Sequence, residues 1–365
     1  MRIQDIINVL ETVAPPSLQE SYDNSGLLIG DPSAIITGIM VSLDATEDVI
    51  KEAARRNCNM VVSHHPIIFS GLRRISPGDY TGRSVTAAVR NDVSVYAIHT
   101  NLDNIITGVN GKMAEILGLR NTEVLLPKQG LLKKLHTFVP VDALEQVRKA
   151  LFAAGGGQIG NYSECSFTTE GTGTFTAGMG ASPYVGQTGI RHYEKENRLE
   201  IIFPAYLESA MIKALIASHP YEEVAYDLVS LDNTVPSLGS GLLGDTDREM
   251  EEPEFLHLVK EKFKLNLLRH TPFTGTKVNR VALCGGAGSF LITRALAAGA
   301  DVFLTADIKY HDFFEANGKL IIADIGHFES EQFTINLLFD LLREKFPNFA
   351  VLKSGLQTNP VHYLI

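Results

Sequence analysis

From residue 37 the chain alternates short apolar runs with helical stretches. "TGIMVSLDA" has the β-branched content of a strand. "TEDVIKEAARRN" has a helical period with Thr46 placed to cap it, and "CNMVVSHH" is a second strand. "RSVTAAVRND" then returns to a helical period, and "VSVYAIHTNLD" is a third strand. A βαβαβ run of this kind constrains the fold severely, because strands joined by helical crossovers lie parallel and the crossovers are right-handed. The last third repeats the plan. "RVALCGGAGS", "DVFLTADIKYHD" and "KLIIADIGHFESE" read as strands with their following turns, separated by "FLITRALAAGA" and "FFEAN" and closed by the amphipathic helix "QFTINLLFDLLREKF". "IKEAARRNCNMVVSHHP" and "ITRALAAGADVFLTADI" share helix, small-residue turn and apolar strand. They are either a pseudo-repeat of two facing halves or a coincidence between two βα units.

Between these segments the rhythm breaks. "KLHTFVPVDALEQVRKALFAAGGG" gives strand, helix and glycine turn, Thr/Phe alternation follows, and "RLEIIFPAYLESAMIKALIASHPYEEVAYDLVSL" gives strand, helix and strand. This is close to βαββαβ, a ferredoxin-like α+β module. The expected organisation is therefore an α/β body with a mainly parallel sheet, contributed by residues 1–126 and 236–365, interrupted by an inserted domain at 127–235. A length of 365 residues suits more than one domain.

The apolar strands share a property: nearly all end in polar residues, at Asp44, His64–His65, His99 to Asp103, Thr305 to His311, and His327 to Glu331. Ligands of open α/β sheets bind at the carboxyl ends of strands. Adjacent residues within a strand point to opposite faces. A histidine pair serving one site must therefore lie beyond the strand end, and Pro66 fits that placement because it cannot donate to a ladder. His327 and Glu331 are four apart after a glycine, a spacing that puts imidazole and carboxylate on one helical face, whereas Glu329 falls off it. Taken together, His64, His65, Asp103, His327 and Glu331 provide three nitrogens and two carboxylates from what reads as three strand ends of one sheet. That inventory suits two divalent ions bridged by a carboxylate. Mixed imidazole and carboxylate ligation favours Zn, Mn, Fe, Co or Ni over Ca or Mg.

"SHHPIIF", "AIHTNLD", "GHFESE" and "YDNSGLLIG", with "TADIKYHD" and "TNPVHYL", resemble the GTP cyclohydrolase I type 2 homologues, the Nif-three-like proteins. The resemblance spans both outer segments, and its motifs occur in the family's order. It implies a dinuclear metal centre in a cleft, with ligands falling on His64, His65, Asp103, His327 and Glu331. It also implies a toroidal homohexamer and, for the middle segment, the PII/CutA-like insert of the longer members. Tyr22 stands where the family commonly has Trp before "DN", which keeps an aromatic ring there.

Paired divalent ions activate water, so hydrolysis of a nucleotide or phosphorylated compound is the expected reaction class, with GTP as the substrate the family name suggests. His99 is either a proton carrier or a partner fixing the Asp103 loop. Lys309 and His311 are candidate contacts for an anionic substrate, against the simpler reading of a solvated loop. "CGGAGS" is either a phosphate-binding turn or a tight packing of helix on sheet. "HPYEEVAYD" in the insert reads as structural or interfacial. The competing function class is a non-catalytic metal-binding or regulatory protein whose insert senses a ligand or gates a central cavity.

Composition narrows the rest. A net charge of -10 disfavours non-specific nucleic-acid binding. Cys58, Cys165 and Cys284 are few and far apart, so neither a disulfide framework nor a thiolate metal site is expected. The N-terminal Ile3, Ile6, Ile7, Leu10 rhythm is that of an amphipathic helix rather than a signal peptide, no apolar run approaches the ~20 residues of a membrane span, and a cytoplasmic protein is expected.

Overall fold

Two sheets, rather than one, build the body that the outer segments form. The computed structural model describes residues 1–364, and the chain divides into two compact units: residues 1–127 with the chain from Pro236 onward, and residues 128–235. In the first sheet of the first unit the strand order is Gly26–Ile29, Ser94–Ala97, Met60–Ser63, Ile39–Ser42, Val351–Lys353. The last four are mutually parallel, and Gly26–Ile29 lies antiparallel on the edge. The three central strands are buried along their whole length, as a parallel sheet covered on both faces requires. Helices Glu47–Arg55 and Tyr80–Arg90 make the crossovers. Thr46 caps the first through its hydroxyl, 3.2 Å from the Val49 N–H, and Asp79 caps the second at Gly82 N–H, 2.7 Å.

The second sheet runs Arg269–His270, Ile321–Asp324, Val302–Ala306, Lys277–Ala287, Gly239–Glu251, Arg120–Pro127. Only Lys277–Ala287, Val302–Ala306 and Ile321–Asp324 are parallel to one another; the remaining pairings are antiparallel. The expectation of one mainly parallel sheet is thus corrected to two mixed sheets. The physical reason lies at the insertion point. Arg120–Pro127 leaves the first unit and Gly239–Glu251 re-enters it as its antiparallel neighbour, with Pro127 opposite Gly239. A chain that exits and returns on adjacent strands accommodates an insertion without disturbing the sheet. Phe255, Phe263, Val281, Leu283, Leu304 and Ile321 form the core beneath this sheet, all fully buried.

The second unit follows the order strand, helix, strand, strand, helix, strand: Leu132–Pro140, Leu144–Ala153, Phe167–Thr176, Arg191–Pro204, Glu208–Ser218, Tyr226–Leu231. Its antiparallel sheet is ordered Phe167–Thr176, Arg191–Pro204, Leu132–Pro140, Tyr226–Leu231. Strand alternation sends Leu135, Val139, Leu199, Ile201 and Phe203 to one face, where they pack with Val147 and Leu151 of the first helix and Met211 and Leu215 of the second. The opposite face carries Phe138, Glu196 and Arg198. Among the described residues no helix is long and apolar enough to cross a membrane.

Candidate metal centre

His64 and His65 lie just past the end of the Met60–Ser63 strand, and the neighbouring strand end still holds their backbone: His65 N–H donates to Leu43 O at 3.0 Å. Freed from strand alternation, both rings reach the same place, 4.9 Å apart between centroids. His327 and Glu331 sit on a short helix that follows the Ile321–Asp324 strand, entered through Gly326 at φ 89°, a conformation glycine adopts without penalty. Asp103 ends the short helix after the Ser94–Ala97 strand. The five residues come from strand ends of two sheets, not of one.

Each imidazole is held by its Nδ1. That atom of His64 donates to the Ile98 carbonyl at 2.9 Å, and that of His65 to Asp44 Oδ1 at 2.8 Å. His327 donates to Asp307 Oδ2 at 2.7 Å, and His99 to Asp23 Oδ1 at 2.8 Å. All four partners can only accept, so Nδ1 carries the proton and Nε2 is left to the site, the usual device by which metal-binding histidines are oriented.

The Nε2 atoms converge on Glu331, whose side chain is 3% exposed. Its Oε2 lies 2.9 Å from His65 Nε2 and 3.2 Å from His327 Nε2, and its Oε1 lies 3.8 Å from His64 Nε2. His64 Nε2 is also 3.6 Å from Asp103 Oδ1. Two groups of ligand atoms each fall within 4.8 Å: His65, His327 and Glu331, and His64, His65 and His99.

The electrostatics expose what this cluster lacks. Burial alone would push Glu331 up, but hydrogen bonds from His327 and His65, with the His64 ring close by, hold its carboxyl well below the usual range. Burial would likewise lower His65 and His327, yet the carboxylates of Asp44 and Glu331 hold His65 at about 10, and those of Glu331 and Asp307 hold His327 at about 9. Burial lowers His64, and burial together with the Glu331 charge raises Asp103 well above the ordinary value. His64 Nε2 and Asp103 Oδ1 are buried without any hydrogen-bond partner. Two bare lone-pair donors facing each other in the interior are costly, and a cation between them satisfies both. The residues present therefore fit a divalent metal.

The glycines of "CGGAGS" are explained by close packing, one of them against this cluster. At Gly286 (φ +62°) a Cβ would fall 2.5 Å from Glu331 Oε1 and 3.2 Å from His327 Cε1. Close packing against the acid accounts for Gly286, whereas a Cβ at Gly285 would fall 2.8 Å from Val109 and one at Gly288 2.4 Å from the Thr305 hydroxyl.

Lys309 and His311 are exposed, and the His311 ring rests near Tyr310 and Phe314; His311 is not in either converging group. From that loop Asp307 reaches the cluster instead, at φ 55°. Sequence reasoning left Asp23, Asp44 and Asp307 without roles. Asp23 accepts from His99, the Thr100 N–H at 3.0 Å and the Thr100 hydroxyl at 2.5 Å. The signal for Asp44 was its place at a strand end. Glu329, off the face, accepts from Asn359 at 3.1 Å.

Residues 1–360 match the Duf34/NIF3 (NGG1p interacting factor 3) family. The chain belongs to that family. Among its relatives, the GTP cyclohydrolase 1 type 2 homolog of Bacillus subtilis is 39% identical over 366 residues, covering 99% of this chain and 98% of the relative. The homolog from Halalkalibacterium halodurans is 38% identical over 366 residues, with the same coverage. The crystal structure of a Bacillus cereus protein related to NIF3 superposes with a TM-score of 0.83 at 38% identity, over 100% of this chain and 99% of that one. A Staphylococcus aureus protein superposes at 0.79 and 29%, with the same coverage. As in these NIF3 relatives, the fold is mixed α/β with several sheets.

Proposed function

We infer that this NIF3 protein binds two divalent ions and is a metal-dependent hydrolase of a nucleotide or phosphorylated compound. The observation that carries this reading is the Glu331 carboxylate, whose two oxygens face two different sets of imidazoles, His65 with His327 on one side and His64 on the other. His65, His327 and Glu331 would hold one ion, and His64, Asp103 and Glu331 the other, drawn from Zn, Mn, Fe, Co or Ni. When bound, such a pair supplies Lewis acidity and lowers the pKa of water, which is the chemistry of hydrolysis.

The chain's own groups do the remaining work. Asp23 keeps the Nδ1 proton of His99 in place, so Nε2 is the atom that accepts or returns a proton. Asp44 and Asp307 fix the planes of His65 and His327. Lys309 and His311, on the loop that supplies Asp307, are the groups we assign to an anionic substrate. The inserted unit has the order of a ferredoxin-like module, and we assign it to the PII/CutA-like class. A toroidal homohexamer in the cytoplasm belongs to the same proposal.

The test is GTP turnover by protein reconstituted in turn with Zn, Mn, Fe and Co, beside metal content by mass spectrometry. Loss of the guanine chromophore with one metal, abolished in His65→Ala with the fold intact by circular dichroism, is the expected result. Two metals bound per chain without turnover of GTP would remove that substrate and favour a regulatory metal protein. No metal bound at all would remove the reading itself.

A further inference from the structure

The second unit holds a cleft of ≈ 1110 Å³ on the sheet face that its helices do not cover. Its floor is built from the strands Phe167–Thr176 and Arg191–Pro204. One wall is the turn at Tyr221–Glu223 and the roof is the connection that passes through Ala181 and Tyr184. That roof is tied down: the Ser182 N–H donates to Glu222 Oε1 at 2.9 Å, and the Tyr184 hydroxyl to Asp142 at 3.4 Å. A cleft of this size lies at the upper end of small-molecule sites.

Its lining has a definite chemistry. Four aromatic rings face it, Phe138, Phe175, Tyr184 and Tyr221. Tyr221 lies 6.2 Å from Tyr184 and 6.3 Å from Phe175 between centroids, so three of the rings form a tilted group rather than a packed stack. Four carboxylates join them, Glu170, Glu196, Glu222 and Glu223, against one guanidinium, Arg198. Arg198 is already answered by Glu200 at 3.2 Å. The floor therefore presents negative charge beside the negative faces of the rings.

Glu196 is the decisive residue. It is only 8% exposed, and Tyr221 donates to its Oε1 at 2.7 Å. Its Oε2 lies where a side chain at position 173 would begin, 2.0 Å from a Cβ built on Gly173. The glycines of "GTGTF" thus let an acid lie across the sheet and keep the floor open. At Gly171, the register partner of Glu196, a Cβ would meet nothing within 4 Å. An acid brought this deep by one tyrosine, among rings and further acids, has the chemistry of a cation receptor. Ammonium groups are drawn to aromatic faces by the negative charge of the ring's π-face.

The geometry points to a binding site for an organic cation, a protonated or quaternary amine on an apolar body, seated between Tyr184 and Tyr221 with its charge toward Glu196. The site is separate from the metal centre and holds whether or not that centre turns a substrate over. It gives "HPYEE", left as structural by its sequence, a ligand-contacting tyrosine.

The test is calorimetric titration of the full chain with benzyltrimethylammonium, with choline, and with 3,3-dimethyl-1-butanol, the neutral isostere of choline. Both cations should bind once per chain, and choline at least about tenfold more tightly than its isostere, the equivalent of ~1.4 kcal/mol. Glu196→Gln should weaken the cations about tenfold and leave the isostere unchanged. Tyr184→Ala, on an exposed ring, should weaken them severalfold, with Tyr184→Phe, which keeps the ring, close to wild type. Glu344→Gln, on an exposed acid of the first unit, should leave them unchanged, which separates the cleft from the net charge of -10. Chelated and metal-loaded protein should bind alike. Equal affinity for choline and the isostere, or no heat from either cation at millimolar concentration, would overturn the assignment. So would light scattering in which Tyr184→Ala dissociates an oligomer that excludes the cations, because a second copy of the chain would then own the face.

Discussion

Each unit of this NIF3 protein buries a carboxylate at its candidate site, Glu331 in the first and Glu196 in the second, and the two acids are answered in opposite ways. Glu331, 3% exposed, is met by the Nε2 atoms of His64, His65 and His327, each imidazole held in turn by its own acceptor. Glu196, 8% exposed, has a single tyrosine hydroxyl on one oxygen and a wide cleft beside it. A buried charge is stable only when paired and hydrogen-bonded. At Glu331 the pairing is built into two strand-end segments, one from each sheet, and leaves no choice of partner beyond protons or metal. At Glu196 it is partial, and the surrounding rings leave space for something with a body. The number of fixed donors around each acid is what distinguishes the proposed ion site from the proposed cleft for a molecule.

The sharpest way to break the comparison is to neutralise each acid in turn. Glu331→Gln removes the charge on which three imidazoles converge, and metal content by mass spectrometry should fall from its wild-type value to near zero. Glu196→Gln should leave metal content unchanged. If Glu331→Gln retained its full complement, the carboxylate would not be the centre of the cluster.

The second test uses protons as the rival of the metal. In metal-free protein His65 is held at about 10 and His327 at about 9, both above the ordinary ~6.5 of histidine. A raised folded-state value contributes stability that is fully present below ~6.5 and is lost as pH rises through about 9 and about 10. The melting temperature of chelated protein should therefore fall across that window more than that of metal-loaded protein, whose imidazoles have no such protons to lose. Parallel curves would mean that the two histidines do not carry the cluster's charge. His219, in the second unit, is lowered by burial despite the charge of Glu196, which acts to raise it, so it adds nothing to this alkaline window.

What was legible in the sequence follows from how local each feature is. Two histidines past a strand end, and a His–Glu pair four residues apart after a glycine, are contained in a few consecutive residues. Helix and strand periods showed the parallel cores for the same reason. The antiparallel half of the second sheet was hidden because Gly239–Glu251 reads "GSGLLGDTDREME", rich in glycine and acid, and becomes a strand only by pairing on both sides. The acceptors that orient the rings were hidden by distance: Asp44 is 21 residues from His65 and Asp23 is 76 from His99. Nothing local marks an aspartate as the partner of a histidine that far away. That the candidate ligands come from strand ends of two sheets is a fact of tertiary packing, which periodicity does not carry.

The smallest effect tests how far the organisation around Glu331 extends. Asp44 uses Oδ1 for His65 and Oδ2 for the Thr358 hydroxyl, 2.5 Å away, so the chain near its C-terminus reaches back to a group that orients a candidate ligand. Partners of metal-binding histidines are worth about 10–100-fold in metal affinity when removed. Asp44→Asn should fall in that range, measured by competition with a coloured chelator. Thr358→Val removes one contact further out and should cost only a few-fold, because Asp44 keeps its bond to His65. The decisive comparison is the double variant. If Thr358 acts through Asp44, Thr358→Val adds nothing once Asp44 is Asn, since coupled residues are not additive. An additive loss would mean that Thr358 contributes by anchoring the chain end, and that the ordered set of donors around Glu331 stops at Asp44.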